Sequence, residues 1–198
     1  MLKYLALGDS YTIGEQVEEE NNFPNQCVTI LQNNYQIAVT RPEIIAVTGW
    51  TTDELMAAIN GQQPAHDFDI VTLLIGVNNQ YRDRDIENYK EEFTELLLKA
   101  ISFAKSKAEN VFVLSIPDWG VTPFAEGRDR SAIAKAIDAF NAANKTITLQ
   151  HQCHYLDITP GTREHGNNIA YLTEDKLHYS SKEYAVWATA LAEDITKG

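Results

Sequence analysis

Cysteine is scarce in this chain. Its 198 residues hold two, Cys27 and Cys153, with no C-x-x-C pair and no metal-ligand spacing. A disulfide framework and a cysteine-based zinc site are therefore excluded. The two thiols could form one bridge, but a chain of this length does not need it. Both are expected to be small buried apolar side chains in a reducing compartment. Basic residues are also few, 16 Lys and Arg against 28 Asp and Glu, for a net charge of −12. That balance argues against nucleic acid, whose affinity comes from cations neutralising phosphates, and against anionic membrane surfaces. It favours uncharged ligands. No segment approaches the ~18 consecutive apolar residues of a membrane span. The N-terminal Met1–Leu7 is interrupted by Gly8-Asp9, too soon for the apolar core of a signal peptide, so a cytoplasmic protein is expected. Internal repeats, low-complexity tracts and linkers are missing, and the length predicts a single domain over residues 1–198.

What is present is alternation. Strand-like apolar runs fall at 4–7, 44–47, 70–75, 111–116 and 155–158, most of them nearly continuous, as in parallel strands covered on both faces. Between them Tyr89, Phe93, Leu96, Leu97, Ala100, Ile101 and Ala104 make one helical stripe, and Ile133, Ile137, Phe140 and Ile147 another. A last helix carries Tyr184, Trp187, Ala188, Leu191 and Ile195, with Ser180 and Glu183 spaced as a capping box. Thr51 and Glu54 have the same spacing, and Pro24 suits the first turn of a helix bearing Cys27, Val28 and Leu31. This order predicts an α/β protein, a doubly wound three-layer α/β/α sandwich around a five-stranded parallel sheet. The segment 159–173, rich in Gly, Pro and Asn, is expected to be a loop, and Glu18-Glu19-Glu20 a solvated one.

In such sheets ligands bind beyond the C-terminal strand ends. Gly8-Asp9-Ser10 follows the first strand, Thr48-Gly49-Trp50 the second and Gly76-Val77-Asn78-Asn79 the third, and Asp175-Lys176-Leu177-His178 precedes the last helix. These types make a coherent chemistry. A serine hydroxyl becomes an effective nucleophile when a histidine takes its proton. His178 could do so for Ser10 if its other nitrogen were held by Asp175, three residues earlier. Attack creates an oxyanion, and preorganised donors lower that barrier. The candidates are the backbone N–H of Ser10, the backbone N–H of Gly49 and the side-chain amide of Asn78. Trp50, Tyr81, Trp119 and Phe124 also follow predicted strands and are expected to line the crevice, with the loop Pro117–Gly120 shaping an acyl or alcohol pocket. His151, Cys153 and His154 lack a spaced fourth ligand, so no metal is expected there.

Taken together, Gly8-Asp9-Ser10, Gly49, Gly76-x-Asn78 and Asp175-x-x-His178 resemble the four sequence blocks of the SGNH (GDSL) hydrolase family, over residues 8–178. The resemblance implies a flavodoxin-like fold, hydrolysis of carboxylic esters or related acyl groups, and no cofactor. It implies functional roles for Ser10, Gly49, Asn78 and His178. One departure is visible: the family's third block commonly ends in Asp, where this chain has Asn79, expected to tie its loop by hydrogen bonds. The expected partner is a small-molecule ester, short-chain or an acetylated small molecule or sugar, with thioesters and lysophospholipids as alternative acyl substrates. A flavodoxin-like FMN binder is the competing reading, since Ser10, Thr12 and Gly14 could donate to a phosphate. A P-loop is excluded, because Gly8 and Gly14 are one residue too far apart and no Lys follows.

Overall fold

The computed structural model describes residues 1–197, and in it each of the five apolar runs contributes a strand. Along the chain β1 (Tyr4–Gly8) leads through α1 (Ser10–Ile13) and α2 (Phe23–Tyr35) to β2 (Glu43–Ala46) and α3 (Thr52–Gln62). Next come β3 (Ile70–Leu74), α4 (Val77–Tyr81), α5 (Ile86–Phe103) and β4 (Val111–Leu114). The chain closes with α6 (Arg130–Gln150), β5 (His154–Leu156), α7 (Thr159–His165) and α8 (Ser181–Ile195). All strand pairs are parallel, in the order β2-β1-β3-β4-β5. The winding therefore reverses between β1 and β3, which opens a crevice at their C-terminal ends.

Burial explains the strand composition. Every residue of β1, β3 and β4 is buried, because helices cover both faces: α2 packs against α8, while α3, α5 and α6 pack in series. The apolar stripe of α5 supplies Tyr89, Phe93, Leu96, Leu97 and Ala100 to the core, each with no exposed surface. Helix starts follow local chemistry: Asn22, Asp85 and Asp129 cap α2, α5 and α6 by accepting backbone N–H bonds. At α3 Thr51 and Glu54 form the expected capping box, in which the Thr51 N–H donates to Glu54 Oε2 at 2.9 Å. Pro24 sits in the first turn of α2 as expected. Both cysteines are free and buried, and burial pushes each thiol up to about 12. Among the described residues no helix is long and apolar enough to cross a membrane.

Three expectations need correction. The fifth strand stops at Leu156 instead of Ile158, because the Ile158 and Thr159 N–H groups both donate to Ser115 Oγ (2.8 and 3.1 Å) and leave the ladder. The segment 159–173 is largely helical: Thr159–His165 forms α7 with Pro160 in its first turn, where a missing N–H costs nothing, and Ile169–Tyr171 adds a 3-10 turn. Arg163 anchors α7 through Asp118 at 2.9 Å and Asp138 at 2.7 Å. Ser180 does begin α8, but the capping box is absent. Its Oγ donates to the Ala170 carbonyl at 3.0 Å, and Glu183 turns into the core.

Candidate active site

The strand ends bring the four sequence blocks together. Ser10 opens α1 directly after β1, with Asp9 capping that helix by accepting the Tyr11 N–H at 3.0 Å. The junction tolerates no side chain at Gly8, where a Cβ would lie 2.1 Å from Thr12 Oγ1 and 2.5 Å from the Leu74 carbonyl oxygen. Ser10 and His178 line one cavity of ≈ 190 Å³ together with Gly49 and Asn78. Tyr81, Trp119 and Phe124 form its aromatic wall, with Tyr81 and Phe124 each set edge-on to Trp119. A wider groove of ≈ 560 Å³ between α5 and α6 is lined by no serine, cysteine or histidine.

His178 and Asp175 form the expected pair, Nδ1 to Oδ2 at 2.6 Å. The other oxygen of Asp175 accepts from Thr173 Oγ1 (2.8 Å) and from the backbone N–H groups of Leu177 (2.9 Å) and His178 (3.0 Å). Partial burial works to raise this carboxyl, but the hydrogen bonds from His178, Leu177 and Thr173 outweigh it and hold it at about 2. The acceptor is thus a fixed carboxylate, which places the Nδ1 proton and leaves Nε2 for the cavity. Among the described residues Ser10 Oγ and His178 Nε2 make no hydrogen bond to each other or to a third group. Such contacts commonly tighten only when substrate arrives.

The oxyanion candidates are built differently from one another. Gly49 has φ +86°, a conformation that favours glycine, yet a Cβ there would meet only Arg82 Nη2 at 3.6 Å. Backbone shape, more than crowding, selects this glycine. Asn78 Nδ2 donates to the Trp50 carbonyl at 3.0 Å, and a longer contact of 3.4 Å runs to Asp9 Oδ2. Asn79 points the other way, accepting from the Thr52 N–H at 3.1 Å and donating to Thr52 Oγ1 at 2.6 Å. It ties the loop, as expected.

One expected wall residue falls outside. Trp50 does not line the cavity; its ring packs on the core and only its carbonyl serves the site, through Asn78. The residue after a strand can turn either way, and the Thr51 cap turns this one inward. In its place Tyr11, Thr48, Val77 and Leu177 complete the wall. Leu177 stood in plain view between Asp175 and His178, and Asp9 beside Ser10. Asp9 is fully buried, and desolvation raises its carboxyl to about 7, against the bonds from Tyr11 and Asn78. Nothing in its spacing signalled that.

A serine, an imidazole oriented by a carboxylate, and an asparagine amide around a largely apolar cavity can carry acyl transfer. Comparison with known proteins agrees. The GDSL-like Lipase/Acylhydrolase family model matches residues 6–186. No curated protein matches the sequence. Solved structures resemble the fold at low identity. A lipolytic G-D-S-L family protein of Veillonella parvula has TM-score 0.77 at 17% identity, covering 100% of both chains. The esterase EstA of Pseudoalteromonas sp., in a structure inhibited by monoethylphosphonate, has TM-score 0.76 at 13% identity, covering 100% of this chain and 98% of its own. Axe2, an acetylxylan esterase of Geobacillus stearothermophilus, has TM-score 0.72 at 20% identity, covering 98% and 94%. The chain belongs to the GDSL-like lipase/acylhydrolase family and is a carboxylic ester hydrolase. The FMN-binding reading falls with that assignment.

Proposed function

We propose that this enzyme is a serine esterase that works through an acyl-enzyme on small esters, with residues 1–198 acting as one domain. The observation that carries the reading is the shared cavity: Ser10 and His178 line it together, with Asp175 bonded to the far nitrogen of the imidazole. Ser10 Oγ attacks the ester carbonyl while His178 Nε2 takes its proton, and Asp175 stabilises the imidazolium. The oxyanion meets the backbone N–H groups of Ser10 and Gly49 and the Asn78 amide. Of that amide's two hydrogens, one is held by Trp50, while the one on the 3.4 Å contact to Asp9, long for such a bond, is free to donate. His178 then protonates the leaving alcohol, and water attacks the acyl-serine by the same route.

The cavity volume of ≈ 190 Å³ supports a short acyl group such as acetyl, on an alcohol seated against Tyr81, Trp119 and Phe124. An acetylated small molecule or sugar fits this description, as acetylxylan does for the similar esterase Axe2. Ser10→Ala should abolish hydrolysis of p-nitrophenyl acetate and covalent labelling by a fluorophosphonate while the fold survives. Retained turnover, or labelling at another serine, would refute the assignment.

A further inference from the structure

The aromatic wall carries a cation that the esterase chemistry does not use. Arg128, on the segment between the Trp119 loop and α6, places its guanidinium 5.4 Å from the ring centres of both Tyr81 and Trp119 and 5.8 Å from that of Phe124. Its Nη2 also donates to Tyr81 OH at 3.3 Å. Three π faces and a phenol thus fix a flexible side chain in one place, beside the ring of residues that walls the cavity. The residue itself is exposed, so its outward N–H groups meet solvent.

Three acids near the site are engaged with other partners. Glu15 accepts from Thr48 Oγ1, Asp175 holds His178, and Glu54 pairs with Arg82 at 3.4 Å. Arg128 has no carboxylate within ion-pair distance among the described residues. In a chain of net charge −12 the overall field repels anions, so a guanidinium fixed at the cavity wall reverses that field locally. The net charge favours uncharged ligands; the local charge selects otherwise.

We infer that Arg128 is a specificity-determining residue, and that the enzyme favours small esters bearing a carboxylate on the part of the substrate that lies along the Tyr81–Trp119–Phe124 wall. The planar fork of a guanidinium matches a carboxylate in two parallel hydrogen bonds, and the rings beneath it accept the apolar spacer between carboxylate and ester. The inference rests on the esterase reading above and adds the substrate class to it.

The test compares two acetyl esters of similar shape, 4-acetoxybenzoate and its neutral counterpart 4-acetoxybenzamide, and reads the ratio of their kcat/KM values. Each variant's ratio is divided by that of the wild type, which cancels the intrinsic reactivity of the esters. Arg128→Gln should lower the ratio by about fivefold, the scale of a solvent-facing charge pair, and Arg128→Lys should recover part of it. Added KCl should shrink the wild-type ratio relative to that of Arg128→Gln, in which only the repulsive field of the chain is left to screen. A merely structural role for Arg128 would slow both esters alike. An unchanged ratio in Arg128→Gln, or the same salt dependence of the ratio in wild type and Arg128→Gln, would overturn the inference while leaving the esterase reading intact. Failure of the wild type to hydrolyse either ester would overturn both.

Discussion

Asn79 occupies the place where the family's third block commonly has an acid, and its neighbours explain the amide. Its Nδ2 donates to Thr52 Oγ1, and that hydroxyl passes its single hydrogen to Glu92 Oε2. A carboxylate at position 79 would compete with Glu92 for one proton in a site with no exposed surface at Asn79 or Thr52. Asn79→Asp should therefore cost about 1–3 kcal/mol of stability, seen in urea melts. Adding Glu92→Gln restores a donor and should return part of the loss; additive effects of the two changes would dismiss the chain. Asn78 differs, since in the proposed mechanism its amide acts on the transition state. Asn78→Ala should lower kcat by about 10²–10³ with little change in KM. If Asn79→Asp proved the more damaging to kcat, the oxyanion donor would be misassigned by one residue.

Between α7 and α8 the chain carries the Asp175–His178 turn, and a buried tie joins the two helices across it. Glu183, fully buried on α8, accepts from Trp187 Nε1 at 2.9 Å and bonds His165 Nδ1 on α7 at 2.6 Å. The His165 ring stacks on Tyr171 with centres 4.0 Å apart, which extends the tie towards the turn. Glu183→Ala would orphan the buried indole N–H and leave α7 held through Arg163, at a cost of about 2–4 kcal/mol. We expect a lower Tm together with a fall in kcat/KM, as the imidazole loses its fixed approach. Wild-type stability in this variant would show that the Arg163 pairs hold α7 without this tie.

Across the whole molecule, two acids set opposite pH trends. Burial lifts Asp9 from 3.8 to about 7, so between those values the folded protein holds a proton that the unfolded chain has released. Raising the pH through that window removes stability. Asp175 runs the other way: held at about 2 against 3.8, it contributes stability above 3.8 that is lost as the pH falls towards 2. Asp9→Asn takes away the first trend only. Its Tm relative to the wild type should accordingly be higher at pH 8 than at pH 4.5. Parallel Tm curves for the two proteins over that range would mean that Asp9 is ionised in the folded state throughout.

Sequence alone determined the alternation of strands and helices, the parallel sheet and the gathering of Ser10, Gly49, Asn78 and His178 at its C-terminal edge. Those features follow from local periodicity and from the rule that one sheet aligns its strand ends, and both are written in neighbouring residues. Asp175 beside His178 was legible for the same reason, since a single turn spans three residues. Tertiary structure decided the rest. Whether Trp50 or Leu177 faces the cavity, whether Asn79 is linked to Glu92 through Thr52, and whether Arg128 lies over Tyr81, Trp119 and Phe124 each depend on partners from separate elements. The same holds for Ser115, which draws Ile158 and Thr159 out of the fifth strand, and for Asp118 and Asp138, which hold α7. Local pattern specifies which face of an element is apolar; the partner that a polar side chain finds, and the volume left between walls, arise only when distant elements pack.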